Sequence, residues 1–452
     1  MGYRVFEFKL FRQFPGRWVL WWVVMPNIGA LLLLPVGGPN IAWPMTICGV
    51  LALIVSQCAS LRLRQMGMAV VFVLSAILYV AVSFNIDAER AFTSLPYMLE
   101  LDPRQSPEYI VAAAVMIATL LASLRYGARV AAPRTWRQVL LAMGGLALLI
   151  NVDTAATAGS GGSYKGHAPA GMPFTSAVRQ AGLAPAKAQG RNVLVIMVES
   201  MGLPAATADA APDRALFDSI WDARKWSSRY TVSRGSTPYF GSTTKGEMRE
   251  LCGVWADYKD VDFARTSCLP ARFAKAGYGT LAIHSSRSEL FQREKWYPRF
   301  GFGQRMFQDD FLSRGAHRCG GVFPGACDRD IPRVIGNLLR QGGGKPQFVY
   351  WLTVNTHLPV PSSAGLGTQE CRLGAPGYGT AFPMPCRGYA LQKQLVDALT
   401  AEIMRPDFPD TDILIVGDHM PPYFQRSLRQ RFDNEHVPWI LLRRGAAARS
   451  VP

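Results

Sequence analysis

Five apolar stretches in the first third of the chain, at roughly 18–36, 41–58, 67–84, 109–124 and 136–151, constrain its fold more than any other feature. Each approaches the ~20 residues that a helix needs to cross the ~30 Å hydrocarbon core of a bilayer. A single such stretch has a buried core helix as a fair rival, but five in succession predict transmembrane spans. They also hold nearly all of the apolar excess in a chain that is 49% hydrophobic and only 18% charged. An ordinary soluble enzyme is poorer in apolar residues and richer in charge.

The flanks of these stretches predict a direction. Arg4, Lys9, Arg12 and Arg17 precede the first, Arg62 and Arg64 separate the second and third, and Arg125, Arg129, Arg134 and Arg137 separate the fourth and fifth. The alternate loops differ. Gly37–Asn40 is uncharged, and 85–108 carries Asp87, Glu89, Glu100, Asp102 and Glu108 against Arg90 and Arg104. Basic residues collect on the cytoplasmic side. The N-terminus is therefore expected inside, and an odd number of spans puts everything after about residue 152 outside. No cleavable signal peptide is expected, since the first span would do the targeting. The net charge of +16 lies between apolar segments or is scattered, with no basic stripe. That distribution favours anionic lipid headgroups as partners and disfavours nucleic acid.

Two of the eight cysteines, Cys48 and Cys58, fall in a predicted span. The other six form sequence-close couples: Cys252 with Cys268, Cys319 with Cys327, and Cys371 with Cys386. An even set in an exported domain reads as disulfides. Six cysteines allow fifteen pairings, and nearest-neighbour pairing is the expectation adopted here. No CxxC occurs, which disfavours a zinc site built from these thiols.

Residues 1–151 thus read as a helical transmembrane domain, and 152–190, rich in Ala, Gly, Ser and Pro (Ala158–Ser163 is typical), as a linker with room for an interfacial helix around 174–183. From 191 the pattern changes. Short apolar runs, Val193–Val198, Gly279–Ile283, Phe348–Val354, Ile413–Val416 and Val437–Leu442, alternate with helical segments such as 265–276, 330–340 and 389–403. This predicts an α/β domain over 191–452 with a mainly parallel central sheet flanked by helices.

Ligands of open α/β sheets bind beyond the carboxyl ends of the strands. Here those ends carry Glu199-Ser200, His284, Asn355-Thr356-His357 and Gly417-Asp418-His419, with Glu435-His436 just before the last strand. Four of the six histidines occupy such positions. One histidine near a strand end is more often a hydrogen-bonded structural residue. Several carboxylates and imidazoles converging at one sheet edge are what a divalent metal needs. The loop Gly241-Ser242-Thr243-Thr244-Lys245-Gly246-Glu247 supplies hydroxyl nucleophiles, and reads equally as a turn capping a helix that starts near Glu247.

Taken in order behind five spans, Asn192–Ser200, Gly241–Glu247 and Gly417-Asp418-His419 resemble the lipoteichoic acid synthases and phosphoethanolamine transferases of the alkaline phosphatase superfamily. The resemblance covers nearly the whole chain in architecture and about six short motifs in sequence. It implies that Glu199, Asp418 and His419 ligate a metal, Zn or Mn, and that Thr243, also touching the ion, is the nucleophile. The family's Gly-x-Thr spacing before Glu selects Thr243 over Ser242 and Thr244. His357 and His436 match residues that bind substrate phosphate or a second metal in the phosphoethanolamine transferases. His284 and Arg293 fall where the lipoteichoic acid synthases bind phosphate, and Phe291 where they carry an aromatic residue.

The implied reaction moves a headgroup from phosphatidylethanolamine or phosphatidylglycerol to a surface glycan or lipid through a phospho-threonine. The diacylglycerol remains in the membrane that anchors the enzyme. The implied location is the inner membrane with the catalytic domain in the periplasm. Met420-Pro421-Pro422-Tyr423 stands where phosphoethanolamine transferases continue with Gly-Glu, and the Thr243 loop reads more like the phosphoglycerol branch. The cysteine couples and His436 suit the other branch. The alternatives are a membrane-anchored phosphodiesterase or phosphatase on the same fold, and a non-catalytic membrane protein with a relict domain. A formylglycine sulfatase is disfavoured, because it needs Cys or Ser followed by x-Pro-x-Arg.

Overall fold

The computed structural model describes residues 13–84, 86–93, 95, 102, 104, 107–157, 165–342 and 344–445. Arg4, Lys9, Arg12, Glu100 and the stretch Ala158–Ser163 lie outside the described residues. The chain forms two compact units: Met1–Leu95 with Pro107–Ser163 and Phe424–Ser427, and Pro96–Ser106 with Tyr164–Tyr423 and Leu428–Pro452.

In the first unit, four helices are long and apolar enough to cross a membrane: Gly16–Val36, Leu61–Phe84, Ile110–Arg129 and Trp136–Ala156. The expected second span is a shorter apolar helix, Ala42–Ser56. Its 15 residues reach only about 22 Å at 1.5 Å per residue. The count of five full-length spans is therefore corrected to four long helices and one short one among the described residues. Hydrogen bonds fix the short helix at both ends. The Ile41 N–H donates to Asp153 Oδ2 at 2.9 Å, and Gln57 Nε2 donates to the Pro133 carbonyl at 2.9 Å. Arg62 and Arg64 lie in the first turn of Leu61–Phe84, which begins earlier than its apolar stretch because the long side chains tolerate a helix end.

The second unit is built on a seven-stranded sheet. Its strands are β1 (Asn192–Val198), β2 (Tyr230–Pro238), β3 (Gly279–His284), β4 (Gln304–Met306), β7 (Gln347–Leu352), β8 (Thr411–Gly417) and β9 (His436–Arg444), in the order β2-β9-β8-β1-β7-β3-β4. A two-stranded ribbon, β5 (Arg318–Cys319) and β6 (Gly325–Ala326), stands apart. β8, β1, β7, β3 and β4 run parallel, while β9 is antiparallel to β8 and β2 to β9. The sheet is thus mixed at one edge.

β1 is buried from Val193 to Val198, as a strand covered on both faces must be. β2 went unread in the sequence because only two of its nine residues are buried, which leaves no apolar run. The expected helices are Leu269–Lys275, Ile331–Arg340 and Pro383–Ile403, the last two packed on each other.

The stretch expected to be linker also needs correction. The helix Trp136–Ala156 continues past 151. Around 174–183 there is one turn of helix, Ala177–Gln180, and not an interfacial helix. Ala177, Val178, Leu183 and Ala188 are buried in the same apolar core as Val193, Val195 and Phe348. Burying four apolar side chains outweighs leaving this segment in solvent. Three disulfides join Cys252 to Cys268, Cys319 to Cys327 and Cys371 to Cys386, while Cys48 and Cys58 are free.

Candidate active site

Topology alone brings the chemistry to one edge. The parallel strands β1 and β8 end together, with Val198 opposite Gly417. Glu199 and Asp418 therefore leave the sheet side by side. β2 ends where the antiparallel β9 begins, with Pro238 opposite His436, so the loop after β2 delivers Thr243 to the same edge.

Two glycine positions permit the approach. A Cβ on Gly417 would lie 2.1 Å from the Met201 carbonyl oxygen. A Cβ on Gly246 would meet Asp418 Cβ at 3.2 Å, so the short helix Thr243–Glu247 packs directly on the carboxylate-bearing turn.

Glu199, Asp418 and His419 are buried, and one ligand atom from each lies within 4.8 Å of the others. The Thr243 hydroxyl donates to Glu199 Oε2 at 3.0 Å and sits 3.3 Å from His419 Nε2. His419 Nδ1 lies 2.8 Å from the Met420 carbonyl. A carbonyl can only accept, so Nδ1 carries the proton and the Nε2 lone pair faces the cluster, as a metal-ligating histidine requires. Asp418 Oδ1 accepts from the Ser200 and His419 N–H groups, at 2.8 and 2.6 Å. Asp418 Oδ2 is buried with no hydrogen bond of its own.

An orphaned carboxylate oxygen beside a second carboxylate and an imidazole lone pair fits a divalent cation. Burial, and then the charge of Glu199, raise the Asp418 pKa above the usual carboxyl range. Proton and metal compete for this carboxylate. Metal affinity is therefore expected to tighten as pH rises from about 5 to 8, with proton release on binding. Titrating Zn²⁺ into the protein calorimetrically in two buffers of different ionisation enthalpy checks it; a pH-independent affinity would contradict it.

The supports of this cluster were not legible in the sequence. Ser200 adopts a left-handed conformation, φ 54°, and donates its hydroxyl to Glu199 Oε1 at 2.9 Å. Such backbone costs about 1–2 kcal/mol per residue and gathers at functional sites. Thr353 accepts from the Glu199 N–H, and the Thr356 hydroxyl donates to the Glu199 carbonyl. The buried guanidinium of Arg249 donates to the carbonyls of Gly417 and Asp418, at 2.7 and 3.1 Å, and pairs with Glu250. The one available signal was a pair of charges, Arg249 and Glu250, between apolar Met248 and Leu251. Across the Thr243 loop, the Lys165 carbonyl accepts from Gly241 N–H and the Gly166 carbonyl from Lys245 Nζ. The helix starts at Thr243, with no side-chain cap from Ser242, so the capping reading of this loop fails.

The remaining candidates divide. Burial drives the His357 pKa down to about 4, leaving a neutral ring. Its Nδ1 is 2.8 Å from the Leu358 carbonyl, which leaves the Nε2 lone pair free to accept a proton. Phe323 packs edge-on against it, with ring centroids 4.4 Å apart. His436, at the start of β9, turns to Asp433, 3.6 Å away. His284 and Arg293 belong to a different buried cluster, centred on Glu247. His284 Nδ1 meets the Leu352 carbonyl at 3.2 Å, and burial and the Arg293 charge hold its pKa well below the usual value. Phe291 lies against the Arg293 guanidinium, 5.5 Å from its ring centroid.

The sulfatase family profile matches residues 191–447. No curated protein matches the chain. Similar solved structures include the integral membrane lipooligosaccharide phosphoethanolamine transferase A of Neisseria meningitidis, at 12% identity over 92% of this chain and 88% of that one, with a TM-score of 0.43. The lipoteichoic acid synthase LtaP of Listeria monocytogenes is 15% identical over 61% and 70%, with a TM-score of 0.43. The Streptococcus pyogenes phosphoglycerol transferase GacH is 14% identical over 61% and 78%, with a TM-score of 0.39.

Proposed function

The chain belongs to the sulfatase family, and from that premise we propose that it is a membrane-bound phosphotransferase that moves a phospholipid headgroup, phosphoethanolamine or phosphoglycerol, onto a cell-surface glycan or lipid. The observation that carries this reading is the Thr243 hydroxyl, 3.0 Å from Glu199 and 3.3 Å from His419, at the edge of the Glu199, Asp418 and His419 cluster that could hold a metal ion. Glu199, Asp418 and His419 would hold the ion with Thr243 beside it. The ion, Zn or Mn, would lower the pKa of a bound hydroxyl and polarise a phosphoryl oxygen.

The chain's own residues supply the rest. The Thr243 oxygen attacks phosphorus as its proton passes along the hydrogen bond to Glu199 Oε2, and the bond from phosphorus to the diacylglycerol oxygen breaks, that oxygen taking a proton from solvent water to leave as the alcohol. The headgroup phosphate is then esterified to Thr243. The acceptor hydroxyl attacks phosphorus next, its proton passing to solvent, and the Thr243 oxygen leaves with the proton returned from Glu199; His357, a neutral ring, is the candidate contact for the substrate phosphate. A threonine in this position, followed by Thr244-Lys245-Gly246-Glu247, separates the chain from sulfatases that mature a Cys or Ser.

The test uses the purified full chain with labelled phosphatidylethanolamine or phosphatidylglycerol, with and without chelator. Metal-dependent diacylglycerol release from one lipid selects the donor. Release that never yields a labelled acceptor, whatever glycan or lipid is added, would favour a hydrolase, and no release from either would sink the proposal.

Five membrane crossings, with the N-terminus inside and the catalytic unit outside, are part of the same reading. The support is the pinning of Ala42–Ser56 at both ends beside the antiparallel Trp136–Ala156. A short helix matched end to end with a 21-residue one crosses the same layer by local thinning or tilt of its neighbours. Three disulfides in the second unit suit an oxidising compartment. In intact spheroplasts, protease added outside should digest the second unit and spare an N-terminal tag. Protection of the second unit would give an even number of crossings.

A further inference from the structure

We propose that Arg293 is a positioning residue for the nucleophile and not a ligand of the substrate phosphate: through Glu247 it fixes the helix that carries Thr243. The inference rests on the reading of Thr243 as nucleophile.

Glu247 is the last residue of the helix Thr243–Glu247, one turn after Thr243 and therefore on the same side of it. Its carboxylate is fully buried and receives four hydrogen bonds. Arg293 Nε and Nη2 donate to Oε2 at 3.1 and 2.9 Å, and the hydroxyls of Tyr297 and Tyr350 donate to Oε1 at 2.6 and 3.1 Å. Tyr350 is in β7, paired with Val195 of β1, so the helix is tied to the middle of the sheet. On another side the same helix rests on Asp418 through Gly246. The nucleophile helix is clamped between the metal-binding turn and this carboxylate.

The guanidinium has little left for a substrate. Beyond Glu247, its Nη1 donates to the Leu290 carbonyl at 3.2 Å and lies 3.5 Å from His284 Nε2. Four of its five N–H groups are thereby engaged, and the side chain is 2% exposed. Its charge is neutralised by a carboxylate that has no closer cation among the described residues, so a phosphate would have to compete with a buried ion pair. The chain also holds two successive non-glycine residues, Phe291 and Gln292, at φ 54° and 53° immediately before Arg293. Trp296 Nε1 secures this turn by donating to the Phe291 carbonyl at 2.8 Å. Strain of this kind persists where its surroundings over-determine it, and here its effect is to aim Arg293 inward at Glu247.

The test compares the full chain in detergent with Glu247→Gln, Arg293→Gln and the double variant. Hydrogen exchange at the amides of 242–248 should accelerate about tenfold or more in each single variant. The double variant should be no faster than the faster single, because both changes remove one interaction. With Zn²⁺ loaded, affinity for inorganic phosphate should change less than about threefold, and kcat should fall about 10–100-fold at unchanged KM, the usual result of a small misplacement. Unchanged exchange, together with phosphate affinity weakened tenfold by Arg293→Gln alone, would overturn the proposal. Should an unpaired buried charge prevent folding, Tyr297→Phe with Tyr350→Phe removes two of the four hydrogen bonds without one; unchanged exchange in that variant overturns it equally. A wild-type protein that bound no phosphate with metal present would count against the phosphotransferase reading, while the exchange comparison still judges Arg293.

Discussion

Thr243→Ala is expected to lower turnover by about 10³-fold or more while the protein stays folded and still binds metal. The hydroxyl is the only oxygen this side chain has, and its neighbours Glu199 and His419 are oriented without it. Glu199 is held by Ser200, Thr353 and Thr356, and His419 by the Met420 carbonyl. The loss to the fold is one hydrogen bond, about 1 kcal/mol, and alanine is the better helix former at the first helical position. Thr243→Ser retains an oxygen and should keep a measurable fraction of the activity. Mass spectrometry of a quenched reaction should find phosphate on the wild-type peptide containing Thr243 and none on the alanine variant. Full activity in Thr243→Ala would remove the nucleophile assignment and leave Ser242 or Thr244 to be tested.

Asp418→Asn should move stability in opposite directions with and without metal. In the metal-free protein, Asp418 and Glu199 are buried carboxylates in one cluster, and Oδ2 of Asp418 has no hydrogen bond. Desolvation and like charge both penalise that state. An asparagine keeps the Oδ1 that accepts from Ser200 and His419, and its amide can donate to His419 Nε2, which lies 3.3 Å from Oδ2. The metal-free variant should therefore be more stable than wild type near pH 8, by about 1–3 kcal/mol. The gain should shrink as pH falls from 8 toward 5. Burial raises the folded-state pKa of Asp418, so the wild-type carboxyl takes up a proton there and loses its penalty. With saturating Zn²⁺ the order should reverse, because the variant lacks an anionic ligand and binds the ion about 10²-fold or more weakly. Thermal unfolding with chelator and with Zn²⁺ reads both signs. A variant less stable than wild type in both conditions would mean that Asp418 is structural.

The degree to which the site could be read from sequence differs residue by residue. Glu199, Asp418 and His419 are each adjacent to an apolar run, and a strand's end is a local property of that run. Thr243 is not beside such a run. β2, which delivers it, is an edge strand of mixed burial, so only the ordered motifs pointed there. His284 and Arg293 show the opposite case. Their positions in the chain suggested phosphate contacts, but position along a chain says nothing about which carboxylate a guanidinium meets. Glu247, four residues after Thr243, meets it first.

The membrane unit divides the same way. Apolar length is additive along the chain, so five apolar stretches and their flanking charges were visible in the sequence, and four of them are helices long and apolar enough to cross a membrane. Whether the 15-residue Ala42–Ser56 is long enough depends on what grips its two ends, and Asp153 and Pro133 are far away in sequence.

The sequence by itself determined that apolar helices precede a sheet-based domain, and that acids and histidines terminate its strands. Hydrophobic periodicity and strand ends are local, and they survive translation into a linear string. Only the tertiary structure decided which charges are partners. A buried guanidinium or carboxylate takes its role from the groups that replace its water, and strands far apart in the chain supply those groups. For that reason Arg249 and Arg293, two residues that look alike in the sequence, meet the Gly417–Asp418 turn and Glu247 of the Thr243–Glu247 helix respectively.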